Sequence, residues 1–181
     1  MKQTNDGQLV TAAQAGDLES LKVLYERYYR SMVWLAYSIL SDRQLAEDAA
    51  QETFAAVCTS LKRLKQPEKF ARYLTTTCRN LAFQMQRQRK RQVVTNNLPE
   101  TPAENSPDRN GSVEKLMRRA IDSLAQKHRE LLILHYYDGQ SYEKIAALLE
   151  VPAHRVKSRL FQARRKIAKY LDRNKFDWES L

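Results

Sequence analysis

Apolar residues recur along the chain at three- and four-residue intervals, and runs that alternate apolar with polar are few. That spacing lines one face of an α-helix and argues against sheet. A short helix is predicted near 8–15, stopped by Gly16; Asp17 can cap a second, which runs through LKVLYERYYRSMVWLAYSIL to about Leu40. The turn SDRQ leads to a third at 43–64, and a fourth follows Pro67 and continues to about Arg91. Further helices fit 112–123, 126–137, 141–149 and 153–171, with Asp138-Gly139 ending the second of these. Between the two groups lies VVTNNLPETPAENSPDRNGS, with Pro99, Pro102 and Pro107 and almost no large apolar residue after Leu98. This is linker composition. The expected fold is all-α: two small helical domains, 1–92 and 113–181, joined by a flexible linker at 93–112.

Composition narrows this further. The 181 residues are 43% hydrophobic, which rules out global disorder, and hold only 4 Gly and 5 Pro. A net charge of +10 favours a polyanionic partner, nucleic acid before an anionic membrane surface. The start, MKQTNDGQLV, lacks an apolar targeting core and no run reaches membrane-spanning length, so a cytoplasmic protein without membrane insertion is expected. Cys58 and Cys78 lack metal-ligand spacing and read as reduced thiols inside helices.

Three helix faces carry the chemistry. On the last helix, Val156, Leu160, Ala163 and Ile167 form a core stripe, while Arg155, Ser158, Phe161, Gln162 and Arg165 point away and Lys157, Arg159, Arg164 and Lys166 flank it. Residues 153–169 hold seven Lys or Arg and no acid, so the helix forgoes the i,i+4 pairs of a solvated face. With Ile145, Ala146 and Leu149 clamping it across the turn EVPA, the pair reads as a helix-turn-helix whose second helix enters a major groove. Its Arg and Lys suit guanine edges or phosphates, and Phe161 a thymine methyl. The competing reading is a bundle whose last helix is merely basic.

On the helix at 68–91, Phe70, Leu74, Cys78, Leu81 and Met85 face inward, whereas Arg72, Tyr73, Thr76, Arg79, Asn80, Phe83, Arg87 and Arg91 face out. Aromatic rings interleaved with Arg suit unpaired bases, rings stacking while guanidiniums hold the backbone. Packing of Tyr73 and Phe83 on a neighbouring helix is the alternative. On the helix at 43–64, Ala50, Phe54, Val57 and Leu61 face the core, and Asp48, Gln51, Glu52 and Ala55 lie opposite. That acidic patch either docks a basic partner helix or is plain solvated surface.

SDRQLAEDAAQETFAAV followed by FARYLTTTCRNLAFQMQRQRKR resembles the second conserved region of bacterial RNA polymerase sigma factors, and HRELLILHYYDGQSYEKIAALLEVPAHRVKSRLFQARRKI resembles their fourth. With these two regions alone, covering about 20–92 and 112–171, the chain is similar to the minimal extracytoplasmic-function class. The resemblance implies that Asp48, Gln51, Glu52 and Phe54 bind core polymerase, whose β and β′ subunits would be partners together with promoter DNA. It implies that Arg72, Tyr73, Arg79, Asn80, Arg87 and Arg91 open and hold the −10 element, Tyr73 standing where many relatives carry Trp. It assigns Arg155, Lys157, Ser158, Arg159, Phe161 and Gln162 to the −35 element. Many relatives are held by an anti-sigma factor; the resemblance leaves that partner open here.

The sequence departs from the family at three places. His154-Arg155 replaces a common Gly-Thr, so the usual capping hydroxyl is missing; Glu150 stands where Gly is common in the turn; and Gln162 stands where Arg is common. A stand-alone helix-turn-helix regulator would leave the aromatics of 68–91 unused. An enzyme would need a phosphate loop, a metal cluster or a nucleophile with matched partners, and none is readable; His128, His135 and His154 are isolated, and no cofactor or metal is implied. A non-enzymatic promoter-specificity subunit is the expectation.

Overall fold

In the computed structural model, residues 5–96, 109–174 and 176 are described, and among them there are eight α-helices and no strand. The helices are α1 (Asp6–Gln14), α2 (Leu18–Leu40), α3 (Arg43–Ser60), α4 (Phe70–Asn96), α5 (Arg109–Asp122), α6 (Gln126–Tyr136), α7 (Tyr142–Leu149) and α8 (Ala153–Arg173). The expected all-α architecture of two helical units is what forms. Two ends differ from expectation. Helix α4 runs on to Asn96 and α5 begins at Arg109, so helix covers both margins of the stretch read as linker; 97–108 lies outside the described residues. The entry to α4 is also tighter than expected, with 3₁₀ turns at Leu61–Arg63 and Pro67–Lys69.

Local chemistry explains the helix starts. Asn5, Asp17 and Asp42 each accept a backbone N–H of the following first turn, at Gly7 (3.2 Å), Glu19 (3.1 Å) and Leu45 (3.2 Å). Gly16, at φ +102, supplies the left-handed residue between α1 and α2, and Gly139, at φ +72, turns the chain after α6. Asp6 ties α1 to α2 by accepting from both Arg27 and the Tyr28 hydroxyl.

Helix α2 packs against α1, α3 and α4 on one side and against α6 on the other. Leu24, Met32, Leu35 and Ile39 on it are buried, and they join Phe54, Phe70, Leu74, Leu131, Leu134, Ile145 and Leu160 in one continuous apolar cluster. Residues of both units therefore enter one core. Cys78 lies inside it, with its thiol directed at the Met32 carbonyl (3.5 Å), and burial pushes its pKa up to about 12; Cys58 is exposed. Thiolate is the reactive form. At neutral pH an aromatic disulfide reagent should therefore modify one thiol rapidly, Cys58, and the second only after denaturant is added, as read by released chromophore.

Candidate nucleic-acid interface

The helix-turn-helix is assembled by α7 and α8. Ser141 caps α7 by accepting the Lys144 N–H (3.2 Å). Ile145 and Leu148 are buried against Val156, Leu160 and Ala163; Ala146 and Leu149 pack at the edge of this contact and Leu148 goes deeper than either. Glu150 occupies the turn at φ 48 and ψ 49, the left-handed conformation for which glycine is suited. Helix α8 starts with Pro152 in the cap position and no side-chain cap. Two of the three departures seen in the sequence, Glu150 in the turn and the missing capping hydroxyl, thus have structural consequences.

On α8, Arg155, Lys157, Ser158, Phe161 and Gln162 are exposed and Arg159 is half-buried. Phe161 is 59% exposed, with the Arg165 guanidinium 5.9 Å above its ring. Gln162 is exposed but tethered: its Oε1 lies 3.3 Å from Nε2 of His128, whose Nδ1 lies 3.4 Å from Lys166 Nζ. Burial first, then the Lys166 charge, lowers the His128 pKa, against the hydrogen bond to Gln162, which raises it. His135, through Nδ1, meets the Gln140 carbonyl at 2.9 Å, which makes both histidines packing groups.

On α4, Arg72, Thr76, Asn80, Phe83, Arg87 and Arg91 are exposed, as the periodicity predicts. Tyr73 is half-buried, its hydroxyl 2.6 Å from Ser60 Oγ. Its ring lines a pocket of about 490 Å³ with Leu64, Lys65, Gln66, Lys69, Arg72 and Thr76. The loop forming that pocket is pinned from α1, where Gln14 Nε2 donates to the carbonyls of Leu61 and Leu64, both at 2.9 Å. Arg79 departs from expectation. Its Nε donates to Glu130 Oε1 at 2.9 Å, Nη2 shares the same oxygen, and the arginine is 30% exposed rather than open to solvent. Arg72 likewise reaches Glu150 Oε2 at 3.1 Å. Both partners belong to the C-terminal unit.

On α3, Asp48, Gln51 and Glu52 form an exposed acidic ridge. Phe54 does not join it: the ring is buried, packed edge-on against Tyr25 (4.8 Å between centroids) and beside Tyr29. It forms the floor of an apolar groove of about 320 Å³ rimmed by Leu18, Tyr25 and Cys58. The groove, the Gln14 clamp and the acids Glu130 and Asp138 were not foreseen. The one signal available for Glu130 is a carboxylate set immediately before the apolar run LLIL of α6.

A two-helix DNA-reading unit beside an Arg-rich, aromatic-bearing helix is the arrangement of a promoter-recognition subunit. The family models agree. Residues 24–92 match Sigma-70 region 2 and residues 114–167 match Sigma-70, region 4. The chain is 29% identical to the RNA polymerase sigma-H factor of Pseudomonas aeruginosa, over 94% of this chain and 96% of that protein. It is 34% identical to the ECF RNA polymerase sigma factor SigE of Mycolicibacterium smegmatis, over 81% of this chain and 58% of that one. Among solved structures, RpoE of Bartonella quintana, in complex with the anti-sigma factor NepR, aligns at TM-score 0.56 with 25% identity, covering 83% of this chain and 96% of that one. CnrH, in complex with the cytosolic domain of CnrY, aligns at 0.59 with 20% identity and shares the fold. The chain belongs to the sigma-70 family of RNA polymerase sigma factors, in its extracytoplasmic-function class. Such proteins are DNA-binding transcription initiation factors that direct polymerase to promoters. No helix among the described residues is long and apolar enough to cross a membrane.

Glu150 gives a direct check on the turn. Replacing it by Gly removes a left-handed strain of about 1–2 kcal/mol but loosens the unfolded chain by about 0.4–1 kcal/mol. Its exposed pair with Arg72 contributes little. Glu150→Gly should therefore stabilise the protein by about 1 kcal/mol, seen as a higher urea midpoint with unchanged slope.

Proposed function

We propose that the three faces divide the work of initiation. In this reading Arg155, Lys157, Ser158, Arg159, Phe161 and Gln162 read the −35 duplex. Arg72, Tyr73, Arg79, Asn80, Arg87 and Arg91 hold the opened −10 strand, with a base beside Tyr73. Asp48, Gln51 and Glu52 grip the polymerase, and Phe54 supports that surface from beneath. The domain limits are 1–92 and 113–181, with 93–112 connecting them. The observation that carries the reading is the segregation of charge: seven cations and no acid at 153–169, against an acidic ridge on α3 in an otherwise basic chain. Cationic faces meet phosphate, and an acidic ridge meets a basic partner. The chain carries out no reaction itself; the chemistry belongs to the polymerase, and the protein works in the cytoplasm. An anti-sigma factor is included as a partner on the strength of the likeness to RpoE.

Co-purification with core polymerase followed by run-off transcription tests the assignment. A stand-alone regulator would bind duplex tightly without polymerase and give no run-off product. Arg155→Ala with Lys157→Ala should leave core binding intact and weaken promoter capture. The slope of log affinity against log salt should fall by about 0.9 per lost phosphate contact. The converse variant, Asp48→Lys with Glu52→Lys, should lose core polymerase in the same co-purification while keeping its duplex affinity; retention of core would overturn the role of the ridge.

A further inference from the structure

The third departure from the family pattern, Gln162 in place of Arg, changes what the outer face of α8 offers a base. An arginine only donates hydrogen bonds, whereas a carboxamide carries an acceptor at Oε1 and two donors at Nε2. Free in a major groove, a glutamine uses both ends at once and pairs with adenine, accepting from N6–H and donating to N7. Gln162 is not free. Its Oε1 meets His128 Nε2 at 3.3 Å, although the residue itself is exposed. His128 lies in the first turn of α6 and is 2% exposed, so the ring reaches Gln162 from inside the protein.

The direction of that bond is fixed from the other side of the ring. Lys166 stands one turn after Gln162 on α8, and its Nζ lies 3.4 Å from His128 Nδ1. An ammonium group donates and cannot accept. Nδ1 therefore supplies its lone pair, the ring proton sits on Nε2, and His128 donates to Gln162 Oε1. Burial of the ring and the charges of Lys166, Lys127 and Arg159 oppose a second ring proton, against the bond to Gln162, which favours one. The amide oxygen is thus spent on a buried ring, and the amide nitrogen is the end left for a ligand.

We propose, on the −35 role given to Gln162 above, that His128 is a positioning residue for promoter readout: it holds Gln162 by its oxygen, so that the side chain presents N–H donors alone and selects guanine over adenine at the base it meets. Guanine offers two adjacent acceptors, O6 and N7, to such donors; adenine offers N7 beside the N6–H donor, which then finds no acceptor. To serve adenine with both ends, Oε1 must leave His128, and the buried Nε2–H loses its partner. The glutamine thereby takes on the hydrogen-bonding polarity of the arginine it replaces, on a shorter and uncharged side chain. His128, Gln162 and Lys166 all belong to the C-terminal unit, so the arrangement does not depend on how the two units sit.

The test uses holoenzyme reconstituted from core polymerase and the full chain, promoters with a randomised −35 element, and sequencing of the bound fraction. Wild type should favour guanine over adenine about tenfold at one position, and Gln162→Ala should abolish the preference there alone. His128→Phe keeps a ring and removes the N–H. The guanine-to-adenine ratio at that position should then fall at least about fivefold while other positions keep theirs. In the Gln162→Ala background the same substitution should change nothing at that position. A histidine that only packs would weaken binding to all sequences alike. Lys166→Met, at an exposed position, lets the ring proton move to Nδ1 and should shift the ratio in the same direction, which keeps the test decisive if His128→Phe does not fold by circular dichroism. An unchanged ratio in every folded variant of these two, where Gln162→Ala does alter one position, overturns the role of His128. So does a wild-type preference for adenine at the position that depends on Gln162. If Gln162→Ala alters no position, the −35 role of Gln162 fails, and the role of His128 with it.

Discussion

The burial of α2 from Ser31 to Leu40 on nearly every side is the constraint on which the other placements depend. A helix covered all round must be apolar or satisfy its polar groups internally. Met32, Leu35, Ala36 and Ile39 meet the first condition. The three buried serines meet the second: Ser20 donates to Asp17, Ser38 to the Leu35 carbonyl, and Ser31 to Asp138 across the unit boundary. Since α3, α4 and α6 all lie against it, α2 sets how far the acidic ridge stands from the Arg-rich face and where the C-terminal unit seats.

Periodicity made the helices legible because each buries one stripe. Val156, Leu160 and Ala163 on α8, and Phe70, Leu74 and Cys78 on α4, are inside as their spacing requires. The left-handed turn at Glu150 was legible too, since a position suited to glycine keeps its geometry when another residue fills it. The pairing of Arg79 with Glu130 was not. The two residues lie 51 positions apart, on helices whose spacing says which way each faces and nothing about what stands opposite. Phe54 is inside as its spacing requires, but the rings of Tyr25 and Tyr29 that pack on it were not legible, because spacing does not say what stands opposite. The ends of α4 and α5 were misjudged because polar sequence such as QVVTN is compatible with a helix that continues from a packed segment.

Charge in this molecule is sorted more than it is balanced. Exposed cations gather on α8 and the outer part of α4, where phosphate would neutralise them. Among the acids, Asp48 and Glu52 stand on the α3 ridge, and Glu130 and Asp138 lie at the seam between units. Two basic bodies packed together repel unless anions lie between them, and Glu130 and Asp138 sit at that place, buried on their arginines. The same two carboxylates would become exposed acids, repelling DNA, if the units parted with nothing else bound.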